Sequence, residues 1–344
     1  MVNQRFLNNV KFLIRFLIAL VLIIVAVAVW AWVDLQQFTH RPAGTDPTPI
    51  VIEVPPGASF HNFAAQLHRK GVIVSPVRFK ILARLKQDDK RLKAGEYGLA
   101  ATMTPAEVLD TVVNAKVLLH RLTIPEGFTI EQIAAEIDRI GITDAKAFKE
   151  LVYDPQVVAA MDLEGPSLEG YLFPDTYYFP RRIEPKALVA TMVNKFKSQF
   201  SDVWHARAKE LNLSLLELVT LAAMIEKETG HPSERHLIAS VFHNRIQRNM
   251  RLESDPTAVY GIAEFEGPIT PHHLQTDSPY NTYRIRGLPL GPIANPGRAA
   301  LEAALYPAES NYLFFVSKKD GSHHFSATYA EHNAAIRKYL RGNR

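Results

Sequence analysis

From Phe16 to Val33 the chain runs about 18 residues without a charge. A helix of that length reaches across the hydrocarbon core of a bilayer, so this stretch limits what the N-terminus can become. Arg5, Lys11 and Arg15 precede the run, and Trp30 and Trp32 sit at its far end, where interfacial aromatics collect. The expected topology is a short cytoplasmic segment (1–15), a single transmembrane helix (16–33), and everything from Asp34 onward on the opposite side. Ala26-Val27-Ala28 has the small-x-small form of a signal-peptide cleavage site. It lies inside the apolar run, which continues through Val33, so an uncleaved anchor is the expectation.

The remaining chain of the 344 residues is long enough to bury a sizeable core, and its 47% hydrophobic and 22% charged residues are ordinary globular values. The formal charge is +4, without the basic stripe of a nucleic-acid binder, so no nucleic acid is expected as a partner. Short basic clusters such as Lys86 to Lys93 alternate with acids and read as solvated surface. The absence of cysteine rules out disulfides, thiolate metal sites and a Cys nucleophile.

Residues 34–49 read as a linker, rich in Pro, Thr and Gly from His40 on. Ile50 to Val54 alternates like a strand, and Ser59 caps an amphipathic helix that ends at Gly71. Seventy residues later the same pattern returns. Pro55, Gly57, Ala64, Ala65, Arg69 and Gly71 have identical counterparts at Pro125, Gly127, Ala134, Ala135, Arg139 and Gly141. That identity points to a repeated strand–turn–helix unit rather than to shared turn chemistry alone. Between the copies, a helix from Pro76, a strand at Gly95–Leu99 and the capping box Thr104-Pro-Ala-Glu107 complete a strand–helix–helix–strand module at 50–120 that resembles LysM-like sugar-binding domains. The segment 121–344 is expected to be a larger, mostly helical domain with irregular loops, and the fold class is α+β.

Ser214 to Thr229 is a helix apolar through Ile225, with Glu226 at its C-terminal end and Ala222 and Ala223 one turn back. An apolar backing and the negative end of the helix dipole both raise a carboxyl pKa, which a general acid requires. From periodicity alone Glu226 reads as a solvated helix-end residue, as most helix-end Glu are, and Glu228 and Glu234 are rivals. Glu228 should point about 160° away from Glu226. Downstream, Ser254-Asp-Pro-Thr257, Ser278-Pro-Tyr-Asn-Thr-Tyr283 and Gly287 to Gly297 form long loops dense in Pro, Gly, Asn, Tyr and Thr. Loops of this length in a compact domain are usually functional, and these side chains suit sugar hydroxyls and ring faces.

These stretches, with Glu169-Gly-Tyr-Leu-Phe-Pro-Asp-Thr-Tyr177, Ile225-Glu-Lys-Glu-Thr229, His323-His-Phe-Ser and Glu331-His-Asn333, resemble the MltG (YceG-like) family of endolytic murein transglycosylases in order and spacing. Leu290 departs from the family's usual Pro, which touches loop stiffness only. The resemblance implies cleavage of the β-1,4 bond between N-acetylmuramic acid and N-acetylglucosamine in nascent peptidoglycan strands, with 1,6-anhydro ends, and an end to strand elongation. It puts the catalytic acid and base at Glu226. Asp255, Asn281, Tyr283 and Asn295 are assigned substrate-binding or orienting roles, with a loop-stabilising hydrogen bond as the even alternative for each. The resemblance implies no cofactor and no metal, a single-pass protein of the cell inner membrane with its catalytic domain outside the cytoplasm, and partners among peptidoglycan synthases and division proteins.

Three other readings stay open on the residues themselves. A hydrolytic muramidase would need a second carboxylate, for which Asp255 is the candidate. A zinc peptidase is suggested by His272-His273 and His323-His324, although no His-Glu-x-x-His is present. A non-catalytic wall-binding scaffold would need only the LysM-like module.

Overall fold

The computed structural model describes residues 2–262, 265 and 267–341. Met1 and residues 342–344, which fall in the expected 1–15 and 121–344 segments, lie outside the described residues. The chain divides into two compact units, Met1–Leu119 and His120–Arg344.

The first unit opens with α1 (Val2–His40), followed by β1 (Ile50–Val54), α2 (Phe60–Arg69), α3 (Pro76–Leu85), β2 (Gly95–Leu99) and α4 (Pro105–Val113). Helix α1 holds a stretch long and apolar enough to cross a membrane, Asn9–His40. It extends past Val33 into the expected linker because Leu35 and Phe38 find apolar partners in the core of this unit. Asp34 grips Arg78 of α3 through two 2.9 Å contacts. Strands β1 and β2 pair antiparallel, with Ile52 opposite Tyr97. Phe63, Leu67, Phe79, Tyr97 and Leu99 fill the space beneath them. Strand, helix, helix and strand follow one another as the sequence pattern predicts.

The second unit contains β3 (Leu119–Thr123, starting at the boundary), α5 (Ile130–Ile140), α6 (Ala145–Val152), α7 (Pro155–Ala160), β4 (Thr176–Pro180), α8 (Pro185–Lys197), α9 (Asp202–Glu210), α10 (Leu215–Glu228), α11 (Arg235–Gln247), α12 (Asp255–Val259), α13 (Pro271–Gln275), α14 (Arg298–Leu305), β5 (Phe314–Ser317), β6 (His323–Ser326) and α15 (Tyr329–Ile336). Strand β3 pairs with β4, and β5 with β6.

The repeated sequence has repeated local structure. Ala58 N–H donates to Pro55 at 3.1 Å and Phe128 N–H to Pro125 at 3.4 Å. Gly57 and Gly127 take φ of 75° and 76°, which costs a glycine little. Ser59 caps α2 and Thr129 caps α5 through the N–H three residues on. Phe63, Ala64 and Leu67 are buried in one copy, and Ile133, Ala134 and Ile137 in the other. Each copy ends on a left-handed glycine, Gly71 or Gly141.

Helix α10 is the centre of the second unit. A capping box starts it: Ser214 accepts the Glu217 N–H at 3.2 Å, and Glu217 accepts the Ser214 N–H at 2.8 Å. Every residue from Leu218 to Ile225 is buried, as befits a helix apolar on all sides. Helices α11 and α14 pack on α10 and on each other.

Candidate active site

The buried run of α10 ends in two carboxylates, Glu226 and Glu228, with Lys227 between them. Two positions along a helix turn a side chain most of the way to the opposite face. The pair therefore meets different surroundings.

Glu226 points into a well-bonded corner. Its Oε2 accepts the Gly297 N–H at 3.0 Å, and its Oε1 lies 3.5 Å from Arg235. Its side chain is only 9% exposed. Burial raises its pKa and the charge of Glu126 adds to this, while the Gly297 N–H and Arg235 oppose it. Glu126 sits in the turn between β3 and α5, against Gly297. A Cβ at position 297 would collide with the Glu126 carboxyl group.

The corner continues into a buried polar network. Asn295 is fully buried, and all its polar capacity is engaged. Its Nδ2 donates to Phe128 O (2.9 Å) and Glu169 Oε1 (2.7 Å). Its Oδ1 accepts the Gly170 and Leu172 N–H groups, both at 2.9 Å. Glu169 also accepts from Ile130 N–H (3.1 Å) and the Tyr260 hydroxyl (3.0 Å), and burial pushes it up to about 7. The network ties the 169–172 motif, the second-copy turn and the 295–297 loop together.

Glu228 points the other way, into a cavity of about 470 Å³ walled by Asp255, Tyr283, Phe314, Phe315 and His323 among others. Its Oε1 accepts the Ser254 hydroxyl at 2.6 Å. Burial pushes its carboxyl up to about 7, with the charge of Asp255 adding to the effect against the Ser254 and Asp255 hydrogen bonds. Tyr283 donates to Asp255 Oδ1 at 2.6 Å.

The loops bearing Asp255 and Tyr283 are bonded to each other from beneath. Ser254 N–H donates to Thr282 Oγ1 (3.0 Å), Thr282 N–H donates to Thr257 Oγ1 (3.1 Å), and Thr257 hydroxyl donates to Ser254 O (2.6 Å). Asn281 is buried below them. Its Nδ2 donates to Thr276 O at 2.7 Å and Leu274 O at 3.1 Å, and its Oδ1 accepts the Tyr283 N–H at 3.0 Å. Arg245, also buried, donates to Leu313 O, Arg251 O and Leu252 O at 2.6–3.0 Å, and so joins the hairpin wall to the Ser254 loop.

Of the five residues singled out from sequence, Asp255 and Tyr283 face the cavity. Glu226 lies on the other side of the helix end. Asn281 and Asn295 are buried inside the protein, with both amides bonded to protein groups. The rival Glu234 is occupied by His323, accepting its N–H at 3.0 Å and its Nδ1 at 2.8 Å. Ser254 received no individual role in the sequence, although its motif stood out, and nothing local announced Glu126 or Arg235. The one available hint for Glu126 was the repeat, in which Pro56 of the first copy becomes Glu126 in the second. Among the described residues no group of three His, Cys, Asp or Glu is placed to hold a metal ion.

The arrangement at Glu228 supplies one carboxyl whose pKa burial pushes up to about 7, a second held by a tyrosine, and aromatic walls. That set can protonate a leaving oxygen while an apolar ring face rests on the aromatics.

The YceG-like family model matches residues 52–338. An endolytic murein transglycosylase of Bacillus subtilis (strain 168) is 32% identical over 308 residues, covering 85% of each chain. The endolytic murein transglycosylase of Streptococcus pneumoniae R6 is 27% identical over 324 residues, or 85% of this chain and 58% of that one. The solved structure of a YceG-like protein from Listeria monocytogenes superposes with a TM-score of 0.58 at 34% identity, over 83% of this chain and 98% of the other. With the match spanning most of both units, the chain belongs to the YceG-like family.

Proposed function

We propose that this protein is an endolytic lytic transglycosylase of peptidoglycan and that Glu228, rather than Glu226, is its general acid and base. The observation that carries the choice is the cavity: Glu228 opens on it with a pKa pushed up to about 7, beside Asp255 and Tyr283. Glu226 instead has its carboxylate bonded to Gly297 and beside Arg235.

Protonated Glu228 donates to the oxygen leaving from N-acetylmuramic acid. The resulting carboxylate then takes the proton of the muramic 6-hydroxyl as that oxygen attacks the anomeric carbon, giving a 1,6-anhydro end. An internal nucleophile needs no positioned water and gains effective molarity. Asp255, oriented by Tyr283, supports positive charge developing on the ring. Asn281 and Asn295 act by holding loops, not by touching substrate.

Two supports remain for other readings. The raised pKa of Glu226 and its neighbour Glu126 support Glu226 as the acid. Asp255 beside Glu228 supports a hydrolytic muramidase. In the wider reading, α1 anchors the chain in the membrane with its N-terminus cytoplasmic, the β1-α2-α3-β2 unit is a LysM-like glycan contact, and the enzyme ends elongation of nascent strands beside peptidoglycan synthases.

Digestion of purified glycan strands by wild type, Glu228→Gln and Glu226→Gln, with products read by mass spectrometry, tests all of this. Internal cuts with anhydro ends should appear in wild type, vanish in Glu228→Gln and persist in Glu226→Gln. The reverse pattern restores Glu226, and reducing ends mean hydrolysis.

A further inference from the structure

In the first unit, α1 and α3 meet where the apolar run of α1 ends. A hollow of about 320 Å³ between them is lined by Ala28, Trp30, Ala31, Leu35, Arg78 and Ile81 among others. Ala28 lies six residues before Asp34, about 9 Å down the helix axis at the usual rise. The side of α3 thus reaches alongside residues that a membrane-spanning helix would hold in lipid.

The outer face of α3 is itself unusual for a water-facing helix. Val77, Ile81 and Leu85, spaced four apart, are 58%, 44% and 59% exposed and form one stripe. Beside Ile81, on its other flank, a second hollow of about 270 Å³ is lined by His61, Lys80, Arg84 and Asp89, with Phe60 and Val77. From Ser75 to Lys93 the chain carries seven basic residues against two acidic ones. Asp34 and Arg78 bond to each other and so hold α3 at this height on α1.

We propose that the α1–α3 face is a binding site for an anionic phospholipid of the membrane leaflet that this unit faces. The acyl chain occupies the hollow between Ala28 and Ile81, and the phosphate lies over Lys80 and Arg84. The proposal rests on the reading of α1 as a membrane span. An apolar stripe flanked by cations suits the headgroup boundary, where basic side chains gain from anionic lipid while their stems stay apolar. The occupant follows from continuity: the same helix that enters the bilayer forms one wall of the hollow. The consequence is that the first unit rests on the membrane surface instead of swinging free on a tether.

The chain has no cysteine, so single thiols can be introduced cleanly. Full-length Ile81→Cys, Leu85→Cys, Val51→Cys and Val25→Cys variants are spin-labelled in nanodiscs of phosphatidylcholine and phosphatidylglycerol. Accessibility to oxygen and to a water-soluble nickel chelate is then compared. Labels at 25, 81 and 85 should favour oxygen several-fold over the label at 51. Removing phosphatidylglycerol, or adding Lys80→Glu with Arg84→Glu, should move 81 and 85 towards the chelate and leave 25 unchanged. If 25 reads as lipid while 81 and 85 read as water, the lipid face is overturned and the span survives. Should 25 also read as water, the spanning reading falls and takes the lipid site with it. Spin–spin broadening at 81 would assign the face to a second copy of the chain, and indifference to phosphatidylglycerol would overturn the phosphate contact.

Discussion

Glu226 and Glu228 leave the same helix turn, carry the same chemical group and are both raised by burial, yet their settings differ. Around Glu226 the protein supplies donors: the Gly297 N–H, Arg235, and beyond them the Asn295–Glu169 network. Around Glu228 it supplies Ser254, the carboxylate of Asp255 and open space. Raised pKa alone does not separate a catalytic acid from a structural one, since desolvation acts on both. The cavity that Glu228 lines is what the proposed assignment rests on.

The largest effect expected from this contrast is kinetic. Glu228→Gln should lower kcat by about a thousandfold, within the range that general acid–base groups supply. Its melting temperature should hold at pH 8, because a buried ionised carboxyl is removed. Strand-cleavage rates beside thermal melts would show it, and a fully active, destabilised variant would invert the assignment.

On the Glu226 side the large effect is on stability. Asn295→Asp puts a carboxylate against Glu169 and the Phe128 carbonyl, with a cost of about 3 kcal/mol or more for an uncompensated buried charge. Chemical denaturation should register that loss at pH 8 and a smaller one near pH 5, where the acids are protonated.

Tyr283→Phe removes the hydroxyl that holds Asp255 and should cost roughly tenfold in kcat/KM, about 1.5 kcal/mol for a hydrogen bond to a charged group. A melting temperature close to wild type would separate this from unfolding.

The smallest effect is on pH. Glu228 must start protonated, so activity should fall as pH rises through about 7. Since the Asp255 charge raises Glu228, Asp255→Asn should move that falling limb to lower pH. A limb that stays in place would mean the descending group is another residue.

Much of the fold was legible in the chain. The apolar run, the caps at Ser59 and Thr104, and the repeat at seventy residues all work through neighbours a few positions apart. Helix α1 outran its expected end because Leu35 and Phe38 find apolar partners in the first unit, which periodicity does not report. The loops around Asp255 and Tyr283 were visible as polar, Pro-rich stretches. The bonds that Ser254 and Thr257 make to Thr282 were not, since they join residues 25 or more positions apart.

The same division governs the site. Sequence by itself determined that a buried helix ends in Glu-Lys-Glu, and that two carboxylates there would face apart. Those are consequences of helical geometry and composition. That Glu228 lines a cavity was decided only by the tertiary structure. The Gly297 donor and the open wall at Phe314 and Phe315 come from segments far along the chain, and solvent access is a property of how such segments pack.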